Sequence, residues 1–99
     1  MSIFSTLQST GIPCAYSHFE TPQKPPYITY IGSGQETFAA DNTWTYRRNT
    51  YQVEFYFAEK DEAAEDTIET ALLSAGYQYT KSADMFLEDQ GVYVIYYDI

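Results

Sequence analysis

Positive charge is scarce in this chain. Five Lys and Arg stand against fourteen Asp and Glu, a formal net charge of −9 over 99 residues. That balance argues against binding DNA or RNA through phosphates, which takes clusters of Lys and Arg. It argues equally against docking on an anionic membrane. The single cysteine, Cys14, excludes an internal disulfide and a cysteine-based zinc site, and suits a reducing compartment. No apolar run is long enough to cross a bilayer. Met1-Ser2-Ile3-Phe4 lacks the basic and apolar regions of a signal peptide, so the expectation is folding in a cytoplasm.

Reactive chemistry is also thinly supplied. His18 is the only histidine. Cys14 and His18, four apart in an expected strand, would lie about 13 Å apart, beyond hydrogen-bond reach. His18 therefore reads as a polar residue beside a proline arm, and Cys14 as a small core residue. Gly32-Ser33-Gly34 is followed by no lysine at phosphate-loop spacing and reads as a bulge or hinge. Glu65 and Glu69, one helical turn apart on an exposed face, read as a solvated face, with a pair that holds a divalent cation as the alternative. Glu88-Asp89-Gln90-Gly91 lacks the alternating oxygen ligands of a calcium loop. No catalytic, cofactor or metal residues are assigned.

What the chain does hold is aromatic. Eleven tyrosines, six phenylalanines and one tryptophan make 18% of it, alongside a 44% apolar fraction that places it among globular proteins. Tyrosine suits half-buried sheet faces and protein interfaces. The length predicts a single domain, 1–99.

Ile3, Phe4 and Leu7 share a helical face in Ser2–Thr10, and Gly11 and Pro13 stop it. Strands are expected at Cys14–Phe19, Tyr27–Ile31, Trp44–Ala58, Tyr77–Thr80 and Val92–Asp98. In Tyr51–Phe57 the odd positions face one way and Gln52, Glu54 and Tyr56 the other. Gly32-Ser33-Gly34 is expected to end the second strand. Gln35 to Thr43 reads either as a mobile loop carrying Phe38 or as the arm of a long hairpin. Asp61 caps a helix over Asp61–Ala75 with an Ala64, Ile68, Ala71, Leu72, Ala75 stripe. Asp84 to Asp89 reads as a turn with Met85, Phe86 and Leu87 partly buried. Val92–Asp98 is apolar or aromatic on both faces, the mark of a central strand. The expected architecture is α+β: an antiparallel or mixed sheet of about four to five strands, with two helices packed on one face.

The stretch from His18 to Tyr30 sets three prolines in five residues ahead of an apolar strand. Prolines disfavour helix at and before themselves, so this is an extended arm feeding the sheet. The Pro22–Tyr30 arm, then Phe38-Ala39-Ala40-Asp41-Asn42, the Tyr51–Phe57 strand and the aromatic C-terminal strand together resemble the tail-terminator or tail-completion proteins. These are small structural proteins of long-tailed phages and prophages of Gram-positive bacteria. The resemblance covers about Gly11 to Ile99. It implies a subunit that rings the head-proximal end of the tail tube, commonly six-fold. Its partners would be other copies, the major tail-tube protein and neck or head-completion proteins, with assembly in the host cytoplasm and a final place in the virion tail. It carries over no catalytic residues. The subunit-interface candidates are Phe38, Asp41, Asn42, Trp44, Arg47 and Arg48, an arginine meeting an acidic neighbour. A different class stays open: an acidic DNA mimic that inhibits a host nuclease.

Overall fold

Strand β6 (Val92–Asp98) is the buried axis of the protein. Val94, Ile95 and Tyr97 are fully buried, and they lie on both faces of the strand. A strand can bury both faces only between neighbours in a covered sheet. A computed structural model describes residues 2–40 and 44–99. Asp41, Asn42 and Thr43 lie outside the described residues, as do the side chains of Ala40, Trp44 and Thr45.

The order is α1 (Ile3–Gln8), β1 (Cys14–Tyr16), β2 (Tyr27–Ala40), β3 (Trp44–Phe57), α2 (Glu62–Ser74), β4 (Thr80–Lys81), β5 (Met85–Leu87) and β6. The sheet runs β1-β2-β3-β6-β4, with β5 also on β6. It is mixed, because β1 lies parallel to β2 and the other pairs are antiparallel. The α+β class, the mixed sheet and both helices agree with the sequence reading.

Both helices cover one face. Ile3 and Leu7 of α1 and Ile68 and Leu72 of α2 pack against Ile28, Tyr30, Val53, Phe55, Phe57, Ile95 and Tyr97. These strand residues are register partners across the sheet: Ile28 with Phe55, Tyr30 with Val53, and Phe55 with Ile95. The caps explain the helix limits. The Ser2 side chain accepts from Ser5 N, and the Asp61 side chain accepts from Ala64 N. No helix among the described residues is long and apolar enough to cross a membrane.

Four local expectations change. First, β1 stops at Tyr16, because Ser17 takes φ 66 and closes a tight turn in which His18 N donates to Tyr16 O at 2.7 Å. Second, the glycines do not end β2. The register with β3 slips by one between Gly32 and Gly34, a bulge, and pairing resumes to Ala40. Gly34 has φ 145, open to glycine alone without strain. The hairpin alternative for Gln35 onward therefore replaces the loop. Third, the expected turn at Asp84–Asp89 contains β5, and Met85 and Phe86 are exposed rather than partly buried. β4 and β5 act as one interrupted edge strand along β6, bridged where Ser82 N donates to Tyr96 O and Tyr96 N to Ser82 Oγ. Fourth, the expected strand at Tyr77–Thr80 shifts to Thr80–Lys81.

Leu72 is fully enclosed between α2 and the sheet. Leu72→Ala is expected to cost about 2–5 kcal/mol of unfolding free energy. Urea titration of the two proteins measures it, and a loss below about 0.5 kcal/mol, the range of ordinary surface changes, would contradict this packing.

Candidate functional site

The hairpin outgrows the body that carries it. β2 and β3 have 14 residues each. β1 borders β2 only at Ile28–Tyr30, and β6 borders β3 only from Gln52 to Phe57, with Tyr51 and Ile99 exchanging two further backbone bonds. Beyond these points the ribbon is two strands alone, with an unpaired edge on each side among the described residues. Every described side chain from 31 to 39 and from 46 to 49 is exposed. The ribbon accounts for a molecule 51 Å long and only 26 × 25 Å across.

An isolated hairpin is marginal in water. This one is held by polar cross-strand pairs and by a hook at its root. Ser33 Oγ donates to Thr50 Oγ1 at 2.8 Å and Gln35 Nε2 to Asn49 Oδ1 at 2.9 Å. Arg48 Nη2 donates to Glu36 Oε2 at 2.7 Å. At the root, Gly32 N donates to the Tyr16 hydroxyl at 3.1 Å, where a Cβ on Gly32 would lie 3.5 Å from the same oxygen.

The bulge decides what the ribbon displays. Tyr30 opposes Val53 on the helix side, whereas Phe38 opposes Tyr46 on the other side. One inserted residue reverses every later side chain of β2. Phe38 (52% exposed) and Tyr46 (56% exposed) are thus direct partners near the free end. Of the interface candidates, Phe38 sits in this pair. Trp44 is placed by register opposite Ala40. Arg47 and Arg48 lie on opposite faces, and Arg48 is bound within the chain to Glu36, so it is not a spare cation for a neighbour. Asp41 and Asn42 fall outside the described residues. Tyr46 and Tyr16 were not singled out from sequence. The alternation Trp44, Tyr46, Arg48 carried the signal for the former; nothing local marked the latter.

Under the proline arm lies a groove of ≈ 430 Å³, lined by His18, Phe19, Pro22, Tyr27, Tyr56 and Gln90 among others. Tyr27 stacks on Tyr56 at 4.8 Å and meets Phe19 edge-on at 5.4 Å. Thr29 Oγ1 donates to Glu54 Oε1 at 2.8 Å beside them. Burial, then the nearby Glu54 charge, pushes the Tyr56 hydroxyl up to about 12. The arm therefore shields the face of the sheet opposite the helices. His18 is exposed, with Ser17 Oγ at 3.2 Å from Nδ1. Burial raises the Cys14 thiol, as suits a residue packed against the core.

A polar cluster corrects the solvated reading of Glu65 and Glu69. Glu65 is only 3% exposed. Lys81 Nζ lies 2.9 Å from Glu65 and 2.8 Å from Glu69, and Lys60 Nζ bridges Glu65 at 2.7 Å and Asp84 at 3.0 Å. Glu65 Oε2 lacks a hydrogen bond of good geometry, so the Lys60 charge is what compensates it. Tyr97 and Tyr79 donate to Glu69 at 2.7 and 3.3 Å. The cluster clamps α2 to β4 and β6. It also turns two acids of the acid-rich helix inward, which weakens the DNA-mimic alternative: a mimic needs its carboxylates spread over the surface. No group of metal-ligating side chains occurs among the described residues. No protein-family model matches the chain, and no curated protein is similar to it.

The clamp makes stability depend on pH from both sides. At Glu69, burial acts upward, but hydrogen bonds from Lys81, Tyr97 and Tyr79 outweigh it and leave the carboxyl below its usual value of 4.5. Its contribution is complete above 4.5 and lost as pH falls through the lower native value. Lys81 is raised from 10.5, chiefly by its bond to Glu69, and Tyr97 from 10.0, chiefly by burial. Their contributions are intact below those values and fall as pH rises towards the native ones. Glu69→Gln is expected to lower stability by about 1–3 kcal/mol at neutral pH. It should also flatten the acid limb between about pH 5 and pH 2, read as urea midpoint against pH.

Proposed function

We propose that this chain is a structural subunit of a phage or prophage virion, a tail-terminator or tail-completion protein. It works as a ring, commonly six-fold, at the head-proximal end of the tail tube. It meets the tail-tube protein on one side and neck or head-completion proteins on the other, after assembly in the host cytoplasm. The observation that carries this reading is the projecting hairpin. Its paired strands hold Phe38 and Tyr46 exposed, away from the core, and among the described residues leave both edges open. A monomer gains little from such an element, whereas a ring subunit needs surfaces that another copy can meet. Three of the four segments behind the resemblance belong to this hairpin or lead into it: Pro22–Tyr30 leads into β2, Phe38 lies on its outer half, and Tyr51–Phe57 is the rooted half of β3. The charge of −9 suits a lumen through which DNA slides, since like charge repels phosphate. No catalytic step is part of the proposal.

Phe38→Ala should leave the melting temperature of the isolated protein nearly unchanged, because the side chain is outside the core. In a phage carrying the same change, tails should become over-long or fail to join heads. Electron microscopy of the particles, with mass spectrometry to locate the subunit in purified tails, measures both. Normal tails that join heads, or absence of the subunit from tails, would contradict the proposal.

A further inference from the structure

The two edges of the hairpin are not alike. On the inner half of β2 the even residues turn their backbone groups towards β1: Ile28 N donates to Pro13 O, Tyr30 O accepts from Ser17 N, and Gly32 N donates to the Tyr16 hydroxyl. The one-residue slip at the bulge passes that role to the odd residues. Gln35, Thr37 and Ala39 therefore turn N–H and C=O outward, with no strand beside them among the described residues. On β3, Tyr51 exchanges both bonds with Ile99, so Asn49 and Arg47 face outward in the same sense. That second edge carries Arg47 and Arg48, and charged side chains guard an open strand. On β2, Glu36 is held by Arg48, and Thr37-Phe38-Ala39 has neither charge nor proline.

Sterics and register select what can cover the β2 edge. An antiparallel β3 edge from another copy would set both bodies at the same end, about 10 Å apart by strand spacing. The molecule is 26 × 25 Å across, so the bodies would collide. Antiparallel pairing of β2 with β2 points the bodies opposite ways, and only the arms overlap. A register centred on Gln35 brings Ala39 of the second copy to Ile31, where Tyr16 and Ser17 already fill the lane beside β2. One centred on Glu36 sets like charges directly opposite, and one centred on Thr37 sets each Phe38 against a carboxylate. The register centred on Phe38 has none of these faults. Phe38 then faces its own copy in a non-hydrogen-bonded pair, with Cα atoms about 4.5 Å apart. Thr37 and Ala39 exchange backbone bonds with Ala39 and Thr37 of the second copy. Tyr46 stands opposite Phe38 within each chain, so one row across four strands reads Tyr46, Phe38, Phe38, Tyr46. That row covers the rings that a single chain leaves exposed, and the Arg48–Glu36 bond stays as it is.

We infer that two copies of this chain pair through the outer edge of β2, antiparallel and centred on Phe38. The contact is isologous and closes on itself, so it makes a two-fold dimer and not a ring. It stands apart from the tail reading, and it covers the less guarded edge of the free protein.

Thr37→Pro tests it. The N–H it removes is an outward one, so the bonds between β2 and β3 remain. Arg47→Pro makes the same change on the other edge and serves as the control. Sedimentation is read at about 1 mM protein, the range in which so small a contact associates. The parent protein and Arg47→Pro should dimerise, whereas Thr37→Pro should stay monomeric with an unchanged thermal melt in dilute solution. A monomeric parent, a dimer of Thr37→Pro, or loss of the dimer in a folded Arg47→Pro protein overturns the inference. Cross-linking covers the case in which a proline disturbs the arm. Thr37→Cys and Ala39→Cys proteins, each also carrying Cys14→Ser, are mixed under mild oxidation. Their mixed disulfide should exceed that of a Thr37→Cys and Asn49→Cys mixture by about tenfold, as expected when pairing raises the local concentration of opposed positions. Equal yields overturn it.

Discussion

The pairing of β2 with β3 is the interaction on which the remaining structure depends. Its inner half, from Tyr27 with Tyr56 to Gly32 with Tyr51, places Ile28, Tyr30, Val53 and Phe55 on one face, where the helices cover them. Among the described residues its outer half carries no core side chain. A slip of one residue at the root would turn the core residues to solvent. The single slip that does occur is placed beyond Tyr30, after the last core position of β2, so it costs the body nothing and changes only what the arm presents.

Much of this was legible in the sequence, for identifiable reasons. α2 and β6 were read nearly to the residue, because a thirteen-residue amphipathic helix with an Asp cap and a doubly apolar strand are long, strongly patterned signals. The inner half of β3 was read for the same reason. What escaped was set by tertiary geometry. Gly32-Ser33-Gly34 reads equally as a break or a bulge, and only pairing with Thr50 and Asn49 decides between them. β5 has three residues between turn signals, too few to show a period.

The carboxylates of α2 were misread more instructively. Counting acids along a helix predicts a solvated face, and Glu62 and Asp66 obey. Glu65 and Glu69 share the Ile68 and Leu72 stripe instead, at spacings that place them over the sheet. The available clue was the position of the few cations. Lys60 and Lys81 flank α2 in sequence, and β6 supplies the Tyr97 hydroxyl below it. A buried carboxylate left without these partners would be strongly destabilising, so the clamp is a condition for α2 to sit where it does. In turn α2 closes over Phe55, Ile95 and Tyr97, which fixes the strands from which the arm grows.

Body and arm therefore divide the work of the chain. The body holds the core, the clamp and the net negative charge. The arm spends chain on ordered surface, stiffened by the Ser33–Thr50, Gln35–Asn49 and Glu36–Arg48 pairs and hooked at Gly32 by Tyr16. Exposed pairs of this kind contribute little stability each, about 0–1 kcal/mol for an ion pair. Their effect is on geometry: they pin the cross-strand register of the ribbon in the free protein. A partner then meets a surface whose backbone is already ordered, and less conformational entropy is lost on contact. Open strand edges would ordinarily invite indiscriminate pairing. The bulge at the root and the charged side chains of Glu36, Arg47 and Arg48 restrain it, and leave the exposed aromatic pair as the arm's selective feature.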